Sequence, residues 1–265
     1  MSGRIPVVGN HLEHLRRAGV RHGLPYAVHE DIYRLLPDDD GGTNVFERDW
    51  DVLVVLDACR AEWVEQVAPE FEMFGSVEQI RSVAGRTAGW AKRTFAAAPT
   101  DRPVTYIHGA KYGRFASSAA DIERVLVRSR RFRYPPAHQI SQAALDRWAG
   151  PANRLVVHYA QPHFPVFRRT GGRTDVEVVE GTGAGAKVAL FRHGGYGAVE
   201  ALYRANLRYV LGEVAMLVAQ LGDARVALTA DHGEFVGEYG LVGHFPGVQH
   251  DAVRVVPWAY LDTGP

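Results

Sequence analysis

The chain has 265 residues, with 30 Lys and Arg balanced by 30 Asp and Glu, 46% hydrophobic and 10% aromatic residues, and one Cys. Length and apolar fraction suffice for a full globular core and exclude a disordered chain; the lone Cys excludes a disulfide scaffold. The neutral total gives no general affinity for nucleic acid or an anionic membrane surface.

Only three of the basic residues are lysines, Lys92, Lys111 and Lys187, which reads as the bias of a GC-rich genome rather than as a phosphate-binding surface. No apolar run approaches a membrane span, and the N-terminus lacks the apolar core of a signal peptide. The expectation is a soluble, cytoplasmic protein of undefined oligomeric state.

Residues 1–45 carry short amphipathic stretches near 12–20 and 32–36 and end in the acidic turn Pro37-Asp-Asp-Asp-Gly-Gly42, so a helical extension is expected there, followed by one domain over 46–265. Asp51-Val-Leu-Val-Val-Leu56 opens that domain as a continuous apolar run, the pattern of a strand buried on both faces. Similar runs follow at 104–107, 155–159 and 225–230. Helices are expected near 88–97, 118–127, 138–148 and 197–221. The last has Val199, Tyr203, Asn206, Leu207, Val210, Leu211, Val214 and Val218 on one stripe, where Asn206 should tie a loop to the helix. The glycine-rich stretch from about 167 to 197 carries no pattern and reads as a loop or lid. Strands alternating with helices predict an α/β fold, a mostly parallel central sheet with helices on both faces.

In such folds the chemistry sits at the carboxyl ends of the strands. The first strand ends in Asp57-Ala-Cys-Arg60, the third in His158-Tyr-Ala-Gln-Pro-His163-Phe-Pro165 and the fourth in Asp231-His232-Gly-Glu234, with His244 twelve residues after His232. Together Asp57, His163, Asp231, His232 and His244 form a carboxylate and imidazole set suited to a divalent cation, Zn²⁺ or Mn²⁺ ahead of Ca²⁺ or Mg²⁺. Thr87 lies where a helix should start, so its hydroxyl and the first free amides would face the same anion; Ser82 is a rival hydroxyl. His158 and His250 read as packing or surface residues, and Arg60 and Arg86 as surface. Gly181-Thr-Gly183-Ala-Gly-Ala186 fits a dinucleotide-binding pattern, the alternative of a nucleotide-binding module.

The segments around Asp57, Gly85-Arg-Thr87-Ala-Gly-Trp90, His158 to Pro165 and Thr229 to His244 resemble, in order, the motifs of the alkaline phosphatase and sulfatase superfamily. The likeness spans about 49–258 and is nearest to short sulfatase-like proteins, with phosphoethanolamine transferases as relatives. It implies an alkaline phosphatase-like sandwich, a catalytic domain over 46–265 and a metal-dependent hydrolase or transferase. The substrate would be a small-molecule or a glycan- or lipid-linked phosphate or sulfate ester. Asp57, Thr87, Asp231 and His232 would hold the metal, with Thr87 as nucleophile. His163 and His244 would contact the transferred group, protonate the leaving oxygen or hold a second metal. An inactive member that binds metal or ligand without turnover is the alternative. Formylglycine chemistry is excluded, because Cys59 lacks the Pro and Arg spacing it requires. A second Asp, common beside the first in calcium-dependent sulfatases, is Ala58 here.

Overall fold

The computed structural model describes residues 41–109, 114–116, 122–170, 173–176, 184–245 and 247–264. The N-terminal extension expected over 1–45 therefore lies outside the described residues up to position 40. Eleven strands form among the described residues: β1 (Val52–Asp57), β2 (Glu78–Arg81), β3 (Val104–His108), β4 (Ile122–Leu126), β5 (Arg154–Pro162), β6 (Phe167–Thr170), β7 (Arg173–Val176), β8 (Val226–Ala230), β9 (Phe235–Val236), β10 (Val242–Gly243) and β11 (Val255–Leu261). The helices are α1 (Ala61–Val67), α2 (Thr87–Ala96), α3 (Ala137–Leu145), α4 (Ala184–Val218) and α5 (Asp251–Arg254).

Seven strands make the central sheet in the order β2-β11-β8-β1-β5-β3-β4. β8, β1, β5, β3 and β4 run parallel, while β11 and β2 add antiparallel pairs at one edge. The four apolar runs of the sequence are β1, β3, β5 and β8, each buried along its whole length. Alternation along a strand sends neighbouring side chains to opposite faces. Accordingly His158 meets Trp90 of α2, ring centroids 5.4 Å apart, while the Tyr159 hydroxyl lies 2.8 Å from Ser141 of α3. Helices thus cover both faces, as expected.

Two expectations are corrected. Of residues 118–127, read as a helix, 118–121 lie outside the described residues and 122–126 form β4, because Ile122, Val125 and Leu126 mimic a helical spacing on an edge strand that buries little. The stretch 167–197 contains β6 and β7, paired antiparallel, and the first part of α4, which Gly195 (φ 73°) divides from the rest. The dinucleotide-like glycines Gly181 and Gly183 lie outside the described residues. The strand before them, β7, belongs to a two-stranded antiparallel ribbon rather than to a parallel βαβ unit.

Asn206 does what its place in the stripe suggested. Fully buried, it donates to the carbonyls of Pro162, His163 and Pro165 (2.9, 3.2 and 3.2 Å) and accepts from the Phe167 amide (2.9 Å), fastening the loop after β5 to α4. Asn206→Leu keeps the volume and orphans these backbone groups, so urea unfolding should show a loss of roughly 3 kcal/mol. A loss no larger than that of a neighbouring surface substitution would contradict the tether.

Candidate metal centre

β1 and β8 are direct neighbours in register, Leu56 opposite Ala230, so the residues that follow each strand meet at one edge. Asp57 closes β1. The next residue, Ala58, takes a left-handed φ of 56°, an uncommon conformation for a residue with a Cβ. That turn aims the Ala58 amide at Asp231, whose Oδ1 accepts from Ala58 N (3.1 Å) and His232 N (2.8 Å). The other oxygen, Asp231 Oδ2, is buried and has no hydrogen-bond partner among the described residues; the same holds for Asp57 Oδ1 and His158 Nε2. Gly233 is required by close approach, since a Cβ there would fall 2.2 Å from the Ala252 carbonyl oxygen.

His232 Nε2 is the meeting point, 3.2 Å from Thr87 Oγ1, 3.3 Å from Asp231 Oδ2 and 3.8 Å from Asp57 Oδ1. Its Nδ1 lies 2.8 Å from the Gly233 carbonyl, which only accepts, so Nδ1 carries the proton. Burial, partly opposed by Asp231, lowers the imidazole pKa to about 4, leaving Nε2 a bare lone pair near neutrality. Burial, and then the Asp231 and Glu234 charges, push the Asp57 carboxyl well above its ordinary range, against a smaller lowering by Lys187.

These residues fit a divalent ion. Two carboxylate oxygens, a bare imidazole nitrogen and a hydroxyl are hard to borderline donors. Ligands about 2.1 Å from a tetrahedral centre stand about 3.4 Å from each other, close to the separations around His232 Nε2.

Thr87 is the first residue of α2; Arg86 is its N-cap. The Thr87 hydroxyl is therefore not spent on capping. Ser82, the rival hydroxyl, has its one proton directed at the Asp231 carbonyl (2.5 Å), with the Ala84 carbonyl 3.0 Å away, and serves the backbone instead.

A second cluster adjoins the first: ligand atoms of His163, Glu234 and His244 lie within 4.8 Å of one another. His163 Nδ1 donates to the Phe164 carbonyl (2.8 Å), and its Nε2 is 3.3 Å from the Lys187 ammonium. Lys187 is 1% exposed and pairs with Glu234 Oε1 at 2.5 Å. The other Glu234 oxygen is 3.3 Å from His244 Nδ1, and the His244 ring centroid is 4.2 Å from that of His232. Burial raises the Glu234 carboxyl, but Lys187 and His244 outweigh it and hold the pKa well below the ordinary range. Burial, then Lys187, drives the His163 pKa down.

All six site residues read from the sequence thus gather at one sheet edge. Three neighbours escaped that reading. His158, read as packing or surface, is a buried wall of the site, its Nε2 3.6 Å from Asp231 Oδ2 and its Nδ1 2.8 Å from the Tyr106 hydroxyl. Glu234 stood inside the Asp-His-Gly-Glu motif with no role assigned, and Lys187 was merely one of three lysines. His250 caps α5, its Nδ1 accepting from Ala252 N (3.1 Å). Arg60, read as surface, is buried to 12% side-chain exposure between Glu62 and Glu238.

No family model and no curated protein matches the sequence. Solved structures do. The C-terminal periplasmic domain of EcEptC from Escherichia coli, in complex with Zn, aligns over 85% of this chain and 76% of its own at 12% identity and a TM-score of 0.50. The integral membrane lipooligosaccharide phosphoethanolamine transferase A from Neisseria meningitidis aligns over 96% of this chain at 13% identity and 0.47; the chain spans 58% of that protein's length. The phosphonate monoester hydrolase of Agrobacterium radiobacter aligns over 82% of this chain and 68% of its own at 13% identity and 0.45. No helix among the described residues is long and apolar enough to cross a membrane. At such identities the likeness is one of fold alone: the chain shares the α/β fold of the EcEptC periplasmic domain, with a mixed, mostly parallel seven-stranded sheet.

Proposed function

We propose that the protein is a metal-dependent hydrolase or transferase of phosphate or sulfate esters with Thr87 as nucleophile. The observation that carries this reading is the uncapped Thr87 hydroxyl, 3.2 Å from the bare His232 Nε2 and beside two carboxylates whose free oxygens have no partner among the described residues. Asp57, Asp231, His232 and Thr87 Oγ1 would hold the ion, which supplies Lewis-acid polarisation and a lowered hydroxyl pKa. Zinc is the metal to test first: the donor set suits it, and the EcEptC domain was determined with it.

Thr87 Oγ, its hydroxyl proton lost to solvent, would attack phosphorus or sulfur; the new Oγ bond forms as the bond to the ester oxygen breaks, leaving a covalent Thr87 ester. The opening amides of α2 have no partner within the helix and are placed to steady charge on the transferred group. His244 is placed to give a proton to the leaving oxygen: its Nδ1 lies 3.3 Å from Glu234 Oε2, which orients the ring, and its side chain is 23% exposed. His163 is not free for that step, since Lys187 occupies its Nε2. The cavity lined by Asp57, Thr87, Tyr106 and His158 is about 10 Å³, room for about one water. Water then releases the group in hydrolysis, and an acceptor alcohol takes it in transfer.

A panel of aryl phosphate monoesters, phosphodiesters and sulfates tests the reading. Turnover of at least one class should require added zinc or manganese, vanish on chelation and return with metal. Stoichiometric zinc without turnover of any would instead mark a metal-binding protein that does no chemistry.

A further inference from the structure

The zero net charge of the chain hides a local excess. From Arg124 to Leu145 the sequence carries five arginines and no Asp or Glu. Four of them, Arg128, Arg130, Arg131 and Arg133, lie in the loop between β4 and α3, and all four are exposed. Arginines elsewhere on the surface find acids, as Arg48 does with Glu78, Arg204 with Glu200 and Arg208 with Glu70. None of the four in the loop has a carboxylate within ion-pair distance among the described residues. Arg131 and Arg133 rest over the rings of Phe132 and Tyr134, 5.0 and 5.9 Å from the centroids, which engages the guanidinium face and none of its N–H donors.

The loop follows the carboxyl end of β4, at the sheet edge that carries the metal centre, and both its ends are tied beside that centre. The Val127 amide donates to the His108 carbonyl (3.0 Å), and Gln161 Nε2, two residues before His163, donates to the Pro135 carbonyl (3.2 Å). His108 and Gly109 line the small cavity shared with Asp57 and Thr87, and Pro135 lies so close that a Cβ on Gly109 would fall 2.5 Å from its Cγ. Between the ends, Ser129 Oγ accepts from the Arg131 and Phe132 amides (3.3 and 3.2 Å), and the Phe132 ring meets that of Phe167 edge-on at 5.5 Å.

Guanidinium groups without acids beside them recognise phosphate and sulfate through paired N–H donors. The apolar side chains of the loop are not offered with them: Pro135 is buried, and Val127, Phe132 and Tyr134 are half-buried. No apolar face is left to enter a bilayer and no exposed ring on which a base could stack; Leu126, 41% exposed at the end of β4, is a single side chain. A hydrophilic chain with many ester groups needs many hydroxyls to carry them, as a sugar chain has. We propose that the 128–133 loop binds an oligosaccharide bearing several phosphate or sulfate groups, and that the ester presented to Thr87 is one group of that chain. That the chain is substrate rests on the ester-cleaving reading of the metal centre; that the loop binds it does not.

The probe is a fluorescein-labelled heparin octasaccharide, with phosphatidylglycerol vesicles and oligothymidylate as comparators. Binding to the full chain is measured across a salt series for wild type, for Arg128→Ser with Arg130→Ser, and for a control of equal charge, Arg147→Ser with Arg225→Ser, whose residues precede β5 and β8 at the opposite edge. The loop variant should bind the octasaccharide about tenfold or more weakly, with the slope of log affinity against log salt shallower by roughly one to two, while the control stays within about twofold of wild type. Circular dichroism checks that both variants fold. No binding by wild type, or equal losses in the two variants, overturns the site. Tighter binding of vesicles or of oligothymidylate than of the octasaccharide overturns the choice of a sugar chain. With an aryl ester that wild type turns over, the octasaccharide should raise KM and leave kcat unchanged; an unaffected KM overturns the substrate assignment. If no ester is turned over while the loop variant still loses the octasaccharide, the binding loop stands and the ester-cleaving reading falls.

Discussion

Asp231→Asn should empty the metal site while leaving the fold intact. The two Asp231 oxygens have separate tasks. Oδ1 holds the turn by accepting from the Ala58 and His232 amides, which an amide oxygen can do equally. Oδ2 faces His232 Nε2 at 3.3 Å and has no hydrogen-bond partner among the described residues, the position of a ligand. An Asn amide placed there offers N–H, which satisfies the His232 lone pair and repels a cation. Bound zinc should fall from one equivalent to none, and the rise in melting temperature that zinc gives the wild type should vanish. Ester turnover should drop about 10³-fold or more. The metal-free variant should melt no lower than the metal-free wild type, because one of two facing carboxylates has been neutralised. A variant that keeps its zinc would move the site elsewhere.

That substitution can be designed because the sequence marks Asp231 so plainly. β8 is a continuous apolar run, and a buried strand that halts at Asp-His-Gly must present those side chains at the sheet's carboxyl edge. The same logic located Asp57 after β1 and His163 after β5. It failed where burial is one-sided. β2 reads Glu-Gln-Ile-Arg and buries one residue fully, β11 carries Pro257 within it, and β4 hides its strand period behind a helical spacing. His158 escaped for the opposite reason, sitting mid-run in β5, where a polar residue reads as a packing exception. Lys187 and Glu234 are 47 positions apart and meet because α4 packs against β9 and β10, the strands that follow Glu234. Before Gly195 that helix offers no amphipathic repeat to announce itself. Residues set by one strand end were legible; those set by the meeting of two distant elements were not.

Thr87 tests the chemistry itself. Since Arg86 and not Thr87 caps α2, Thr87→Ala removes no capping bond, and the melting temperature should shift by no more than a surface substitution does. Asp57, Asp231 and His232 remain, so zinc content should stay at one equivalent. The rate should nevertheless fall about 10³-fold or more, with the loss in kcat rather than KM, because the missing oxygen forms a bond only in the transition state. Thr87→Ser restores an oxygen at the same position on the chain and should recover much of the rate. In the wild type, rapid acid quench followed by peptide mass analysis should find a phosphoryl or sulfuryl group on the peptide containing Thr87, absent from Thr87→Ala. If Thr87→Ala turns over at the wild-type rate with zinc bound, the attacking oxygen is that of water, and the hydroxyl beside His232 is a ligand alone.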